Sequence, residues 1–334
     1  MIVGTAPTLV TGGTGFVGAH LVRALLERGD RVRCLVRANS DRRNLDGLDA
    51  ELYEGDLRHR ASLEGALAGC RALYHCAADY RLWSRDPREL YATNVDGTRH
   101  LLEAARDAGV EKVVYTSSVG ALGLEPGGTP AHEGTPVSLE RMIGHYKRSK
   151  YLAERVAEEA GRAGQWVVIV NPSTPIGDLD RKPTPTGQVI VDYLNRRMPA
   201  YVDTGLNWID VRDVARGHLL AEERGRSGER YILGHRNLTL RQVLDLLAEI
   251  SGLPRVRLRL PHSVPLAFAA VSTGWARLTG RPPRVSLESA RMARYRMFFD
   301  AGKAVRELGL PQGPVEEALE RAVRFFRDHG YVQA

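Results

Sequence analysis

The sequence predicts an α/β protein: a doubly wound parallel sheet covered by helices on both faces, with a smaller α+β portion interleaved in its second half. Three observations carry that expectation. Short, nearly continuous apolar runs alternate with longer stretches of helical periodicity through the first half, as strands buried on both faces require. A glycine-rich turn, TGGTGFVG (11–18), stands between the first of those runs and the first helical stripe. In the second half the rhythm breaks into short strands, proline turns and amphipathic helices. A chain of 334 residues suffices for one large domain or two intimate ones.

The elements follow in order. TLV (8–10) reads as the first strand. FVGAHLVRALLERG then places Val17, Leu21, Val22, Leu25 and Leu26 on one stripe and stops at Gly29, a helix with a glycine end. RVRCLVR (31–37) and ALYHCAA (72–78) read as strands, a helix is expected over about 86–108, and KVVYTSS (112–118) is the next strand. A helix follows through 137–163, then the strand QWVVIVNPS (165–173). KPTPTG (182–187) reads as a loop before a helix near 188–197, and WIDV (208–211) and RYILG (230–234) as strands. Thr239 with Gln242 three residues on opens a helix by a capping box. RVRLRL (255–260) alternates as a strand, and Pro314 sits where the first turn of the helix VEEALERAVRFFRDHG favours proline.

Bulk properties exclude several function classes. Apolar residues at 43% and charged residues at 26% place the chain among folded globular proteins. Cys34, Cys70 and Cys76 make neither metal-ligand spacing nor an even disulfide set, and no signal peptide precedes the first strand. A reducing, cytoplasmic setting is expected. None of the ten histidines forms an HExxH-type pair, so no metal site is expected, and His75 stands without a partner at ligand spacing. The net charge of +7 is spread along the chain without a basic tail or aromatic–basic interleaving, which speaks against nucleic acid and suits phosphorylated ligands or an anionic membrane surface. No run reaches the ~18–20 apolar residues of a membrane span. VPLAFAAVSTGWARLTG (264–280) reads either as a core helix or as an amphipathic lid that meets lipid or a greasy substrate, the route to peripheral membrane contact.

The glycine turn points to a dinucleotide. In Thr11, Gly12, Gly15, Phe16, Val17 and Gly18, the first glycine permits a tight turn and Gly15 lets backbone approach a pyrophosphate. Gly18 lets the helix pack closely, and the helix N-terminus faces the phosphates. At the end of the second strand, where an NAD site usually carries Asp or Glu, the chain has Arg37, with Arg42 and Arg43 behind it. A guanidinium pairs with a 2′-phosphate, so NADP is favoured over NAD. Asp56 and Leu57 of GDL (55–57) stand where a carboxylate accepts from an adenine amino group, or where a turn simply needs an aspartate. The expected division is a dinucleotide-binding part over 1–172 and about 208–235, and a substrate-binding part over about 173–207 and 236–334.

Tyr146 and Lys150 lie one helical turn apart in GHYKRSK, and Ser118 ends the strand KVVYTSS. Proton transfer at a carbinol oxygen needs an acid with a pKa near the working pH, and a free phenol at ~10 is too weak. A neighbouring ammonium and a nicotinamide positive charge favour the phenolate. A serine hydroxyl can hold the substrate oxygen beside it. Lys147 and Arg148 fall on other helix faces and read as solvated.

TGGTGFVG, HCAA, ATNVDGT, YTSS and YKRSK, in this order and spacing, resemble the extended short-chain dehydrogenase/reductase family across nearly the whole chain. The resemblance implies a Rossmann-type fold and an NAD(P)-dependent enzyme with Ser118, Tyr146 and Lys150 as catalytic residues and Asn94 in the proton relay and cofactor-side geometry. It implies Ala77 and Ala78 beside the nicotinamide, Lys150 on its ribose, and Pro172 and Ser173 closing over the carboxamide. NPSTPIG departs from the Arg-Pro start of nucleotide-sugar epimerases and, with Arg37, resembles the dihydroflavonol-reductase-like subgroup. AADYRLW, VNPSTPIG, KPTPTG and the tail RMARYRMFFD resemble the bacterial hopanoid-associated sugar epimerase group. That group implies redox or epimerisation at a sugar or polyol linked to hopanoid metabolism. The alternatives are an NADPH-dependent carbonyl reductase and a non-catalytic dinucleotide sensor. Tyr80, Arg81 and Trp83, directly after a strand end, are candidates for substrate contact or for loop packing; Trp208 is a further candidate, and Asp79 a second acid/base group. Family members often pair through a four-helix contact, which implies a homodimer.

Overall fold

The computed structural model describes residues 6–84, 86–279, 283 and 285–333. Its strands are β1 (Thr8–Thr11), β2 (Val32–Val36), β3 (Ala50–Glu54), β4 (Ala72–His75), β5 (Lys112–Thr116), β6 (Val167–Pro172), β7 (Thr174–Ile176), β8 (Ala200–Val202), β9 (Gly205–Asp210), β10 (Arg230–Leu233), β11 (Arg236–Thr239), β12 (Leu258–Leu260) and β13 (Arg296–Met297). The helices are α1 (Phe16–Arg28), α2 (Arg60–Leu67), α3 (Arg88–Tyr91), α4 (Gly97–Asp107), α5 (Gly144–Arg162), α6 (Pro185–Leu194), α7 (Val211–Arg224), α8 (Leu240–Ser251), α9 (Ser263–Thr279), α10 (Leu287–Met292), α11 (Gly302–Leu308) and α12 (Val315–Asp328).

Seven strands form the main sheet in the order β10-β6-β5-β4-β1-β2-β3, every pair parallel. This is the doubly wound topology the alternating pattern predicts, with the order reversing between β1 and β4. α1, α7 and α11 supply Leu21, Val22, Leu25, Leu219 and Leu308 to one face. α2, α4 and α5 cover the other with Leu63, Leu101, Leu102 and Val156. A smaller sheet of β7, β9, β11 and β13 packs with α6, α8 and α12 around a third core that includes Ile176, Leu244, Leu319 and Phe326.

Several elements differ from expectation. The strand expected at 208–211 is β9, and it pairs in the smaller sheet rather than beside β10. α5 starts at Gly144, not near 137, because Gly144 has a left-handed backbone (φ 81°) that cannot continue a helix from its N-terminal side. The helix expected over 86–108 is broken by a π-helical turn at Ala92–Asp96. Pro314 precedes the first helical residue of α12, and RVRLRL pairs with β8 only over Leu258–Leu260. α6 begins at Pro185, inside the expected loop, with Thr184 accepting from the Gly187 N–H as its cap.

Candidate active site

The loop between β1 and α1 lies at the point where strand order reverses. Gly12 has φ +73°, and a Cβ there would sit 2.7 Å from the Ala77 nitrogen at the end of β4. A Cβ on Gly18 would sit 2.1 Å from the Gly12 carbonyl oxygen, so the first turn of α1 closes tightly on its own loop. A Cβ on Gly15 would meet only the Gly12 oxygen, so its outer side is open to a ligand. No side chain caps α1 and no acid stands in its first turn, which leaves its N–H groups and positive dipole end, at Phe16 and Val17, for an anion.

Thr11 does not present its hydroxyl to a ligand. The Ala77 N–H donates to Thr11 Oγ1 (3.2 Å), and Thr11 Oγ1 lies 2.7 Å from His75 Nδ1. His75 Nε2 lies 3.0 Å from Thr98 Oγ1, which donates to the Asn94 carbonyl (2.6 Å). One proton arrangement satisfies this chain: neutral His75 donates from Nε2 and accepts at Nδ1. Burial drives the His75 pKa down to about 3, with the Lys150 charge adding to it. His75 is thus a neutral connector that holds the ends of β1 and β4 together. Cys76 and His218 extend the network through Thr116 Oγ1.

At the outer end of β2, Arg37 is exposed, and only its backbone is engaged, with Ser40. Arg43 is tied to Asp41 and Arg42 leans on Glu54. Of the three arginines, Arg37 has its guanidinium free of ion pairs among the described residues. Asp56 is held by Arg58 at 2.7 Å, and those hydrogen bonds lower its pKa to about 2. An adenine amino group would have to compete with Arg58 for it. Leu57 is buried against Gly97.

The residues expected to react gather beyond β5. Ser118 caps a short turn, its Oγ accepting from the Gly120 N–H at 3.0 Å. Tyr146, in the first turn of α5, shares a hydrogen bond with Ser118. Burial raises the Tyr146 pKa above that of an ordinary phenol, and the Ser118 bond lowers it. The expectation that Lys150 itself depresses the phenol is not met by the protein's own groups, because desolvation dominates. Lys150 is buried, and its Nζ donates to the Thr116 carbonyl (2.8 Å) and to Tyr115 Oη (3.4 Å). Burial lowers the Lys150 pKa to about 8, against upward pulls from Glu154 and Cys76.

Asn94 sits in the π-helical turn. Both of its amide hydrogens are engaged, on the Asp79 carbonyl (2.9 Å) and Ser149 Oγ (2.9 Å), while its oxygen accepts from the Asp79 N–H (2.7 Å). It fastens the segment after β4 to α5. The π turn is what aims it there.

Other expected residues divide. Ala77 and Ala78 lie directly beyond β4, and Pro172 ends β6. The Ser173 N–H donates to the Leu233 carbonyl (2.9 Å), and its Oγ is buried without a partner, as is Ser117 Oγ. Tyr80 is exposed, Trp83 half-buried, and Arg81 pairs with Asp79 at 2.5 Å and with Glu89. Burial pushes the Asp79 carboxyl up, but Arg81 outweighs it and holds the pKa below the usual value, unlike a group poised as a second acid. Trp208 is corrected: at 2% exposure it packs in the third core, so its ring does not line the cleft. Lys147 is also corrected. It is 9% exposed, not solvated, with Nζ against Met297 Sδ (3.5 Å), and burial lowers its pKa to about 8.

Sequence reasoning missed Glu154. It lies one further turn along the face of Tyr146 and Lys150 and is fully buried. Asn171 donates to it (2.7 Å) and to the Ser118 carbonyl (3.1 Å), while Arg155 and Arg230 pair with it. A carboxylate four residues past Lys150 was the available signal.

The open glycine turn, the uncapped helix end and the orphaned Ser173 hydroxyl fit a dinucleotide. These features define a dinucleotide-dependent oxidoreductase-type enzyme. Comparison places it further. The profile described as the NAD dependent epimerase/dehydratase family matches residues 8–234. A Synechocystis protein provisionally named dihydroflavonol 4-reductase is 51% identical, over 97% of this chain and 95% of its own. Sterol demethylase protein B of Methylococcus capsulatus is 40% identical, over 97% and 99%. The crystal structure of gox2253 superposes with a TM-score of 0.89 at 49% identity, covering 98% of this chain and all of the other. The chain belongs to the NAD dependent epimerase/dehydratase family, the extended short-chain dehydrogenase/reductases, and is an NAD(P)-dependent enzyme.

Proposed function

We propose that the protein is an NADPH-linked reductase acting at a ketone, or at the secondary alcohol in reverse. The observation that carries this reading is the grouping of Ser118, Tyr146 and Lys150 at the carboxyl ends of the strands, next to the open glycine turn. Gly12, Gly15, the first amides of α1, Ala77, Ala78, Pro172 and Ser173 would hold the dinucleotide, and Arg37 would meet a 2′-phosphate. When bound, that group supplies the hydride and, oxidised, a positive charge that favours phenolate. Ser118 orients the substrate oxygen by hydrogen bonding. Tyr146 carries the proton to or from that oxygen. Lys150 anchors the reactive end and keeps a cation behind the phenol, and Asn94 holds the helix that carries both. The reductase name of the Synechocystis relative supports the direction. The name sterol demethylase protein B, together with the motif resemblance, supports a substrate that is a sugar or polyol attached to, or destined for, a polycyclic lipid such as a hopanoid.

Epimerisation is the second reading, favoured by the motif resemblance of AADYRLW, VNPSTPIG, KPTPTG and the tail RMARYRMFFD to the hopanoid-associated group. It uses the same residues but keeps its dinucleotide through each cycle. Mass analysis of nucleotide released on denaturation tests the two. An empty protein that binds NADPH before NADH is expected; stoichiometric retained nucleotide would overturn the reductase in favour of the epimerase.

A further inference from the structure

α9 has its amphipathicity inverted. Its buried side holds the small residues Ala269, Thr273 and Ala276. Its large apolar residues point outward: Val264, Phe268, Val271, Trp275 and Leu278, at spacings of four, three, four and three. Val271 is 75% exposed, Trp275 67% and Leu278 84%. A helix of a water-surrounded protein buries its large residues and shows its small or polar ones. A continuous outward stripe of this kind marks a surface that is covered in use.

The charge around it says by what. Residues 252–299 hold nine arginines, no lysine, and Glu288 as the single acid, a formal charge of +8 against +7 for the whole chain. All the excess positive charge therefore lies in the segment that carries α9, and the remainder is −1. The even spread expected from the sequence does not hold. Glu288 is turned away from the stripe, towards Gly144 and His145 at the start of α5. Arg257 and Arg294, exposed on either side of α9 in the chain, belong to the same basic segment. Arg255, Arg259 and Arg296 pair with Asp245, Glu249 and Asp203 from outside the segment, and the segment stays basic beyond those pairs, so a second copy would set like charge against like. An anionic bilayer satisfies both features: acyl chains take the stripe and headgroups take exposed arginines such as Arg257 and Arg294, with Trp275 at the boundary. No helix among the described residues is long and apolar enough to cross a membrane, so the contact is peripheral.

We propose that α9 docks the enzyme on an anionic lipid surface. α9 is fastened to α10 by the Leu287 N–H on Thr273 Oγ1 (3.1 Å), and α10 touches the first turn of α5 through Glu288. The docked face is thus one helix away from Tyr146, placing the cleft near substrate carried in the bilayer. The inference stands on α9 and its charge, independently of the reaction assigned above.

The test is co-sedimentation of the full chain with mixed phosphatidylcholine–phosphatidylglycerol vesicles and with pure phosphatidylcholine vesicles. Binding to the anionic vesicles is expected, weakened at high salt. A Val271→Ser/Leu278→Ser variant should partition on the order of 10-fold less or weaker. Trp275→Ser should act in the same direction; both variants alter outward side chains, and unchanged dinucleotide binding checks the fold. Failure of the wild type to sediment, equal sedimentation of the variants, or a dimer that these substitutions dissociate would overturn the proposal.

Discussion

The two ends of the main sheet both bury charge, and they treat it in opposite ways. At the amino-terminal end, Asp30 and Glu222 are each met by Arg28 and Arg71, at 2.6–2.8 Å, and Tyr74 donates to Glu222 at 2.6 Å. At the carboxyl-terminal end, Lys147 and Lys150 are buried with no carboxylate at ion-pair distance among the described residues, and burial lowers both pKa values to about 8. Ser117 Oγ, Ser173 Oγ and Asn171 Oδ1 add buried atoms without partners there. Counter-charge makes the first end a fastening. Its absence leaves the second end polarised and ready for a ligand.

The largest effect expected at the reactive end comes from Tyr146→Phe. Turnover should fall by about 10²–10⁴-fold with the melting temperature and dinucleotide affinity unchanged. Retained turnover in a steady-state assay would remove Tyr146 from its role. At the other end, Glu222→Ala removes one of the two carboxylates that Arg28 and Arg71 share and leaves the Tyr74 hydroxyl without its acceptor, and denaturant titration should show a loss of about 1–3 kcal/mol with turnover of the folded enzyme unaltered. The pH dependence has a definite sign. Burial pushes Glu222 up, but Tyr74, Arg28 and Arg71 outweigh it and lower its pKa. Its contribution is present above the unfolded value of ~4.3 and is lost as pH falls through the lower folded one.

The lysines sharpen the contrast because burial penalises their charged form, whereas Glu222 is stabilised in its charged form. Their folded pKa lies below the unfolded ~10.4, so between about pH 8 and that value the unfolded chain binds more protons and stability rises with pH. Lys147→Met should therefore stabilise the protein at pH 7 by about 1–3 kcal/mol in urea titration. A loss of stability would show that its ammonium has a partner in solution. The smallest effect belongs to Arg37→Asp, which should move the NADPH-to-NADH preference by about 10-fold towards NADH in parallel titrations.

The main sheet was legible because its strands are short apolar runs and its turn is marked by glycine. The placement of Ser118 beyond β5 and of Tyr146 and Lys150 one turn apart on α5 was legible from the strand end and the helical spacing. α7 was harder to see: its arginines and histidine disguise a face on which Val211, Val214, Leu219 and Leu220 are buried. Trp208 was misread because a tryptophan near a strand end looks the same in sequence whether it meets a ligand or fills a core. Lys147 was misread because helical spacing gives an angle on α5 but not the loop and the Met297 strand that close over it. The partners of Asn94 depend on a π turn that no periodicity announces.

The chain passes between its two sheets through very short joins. Ser173 alone separates β6 from β7, Asp210 leads directly from β9 into α7, and Gly234–His235 is all that lies between β10 and β11. The halves are not exchangeable cassettes: the chain also returns to the main sheet for α11 and leaves it again for α12, so a graft of a new substrate portion needs five matched seams, and calorimetry should record one cooperative melting transition rather than two.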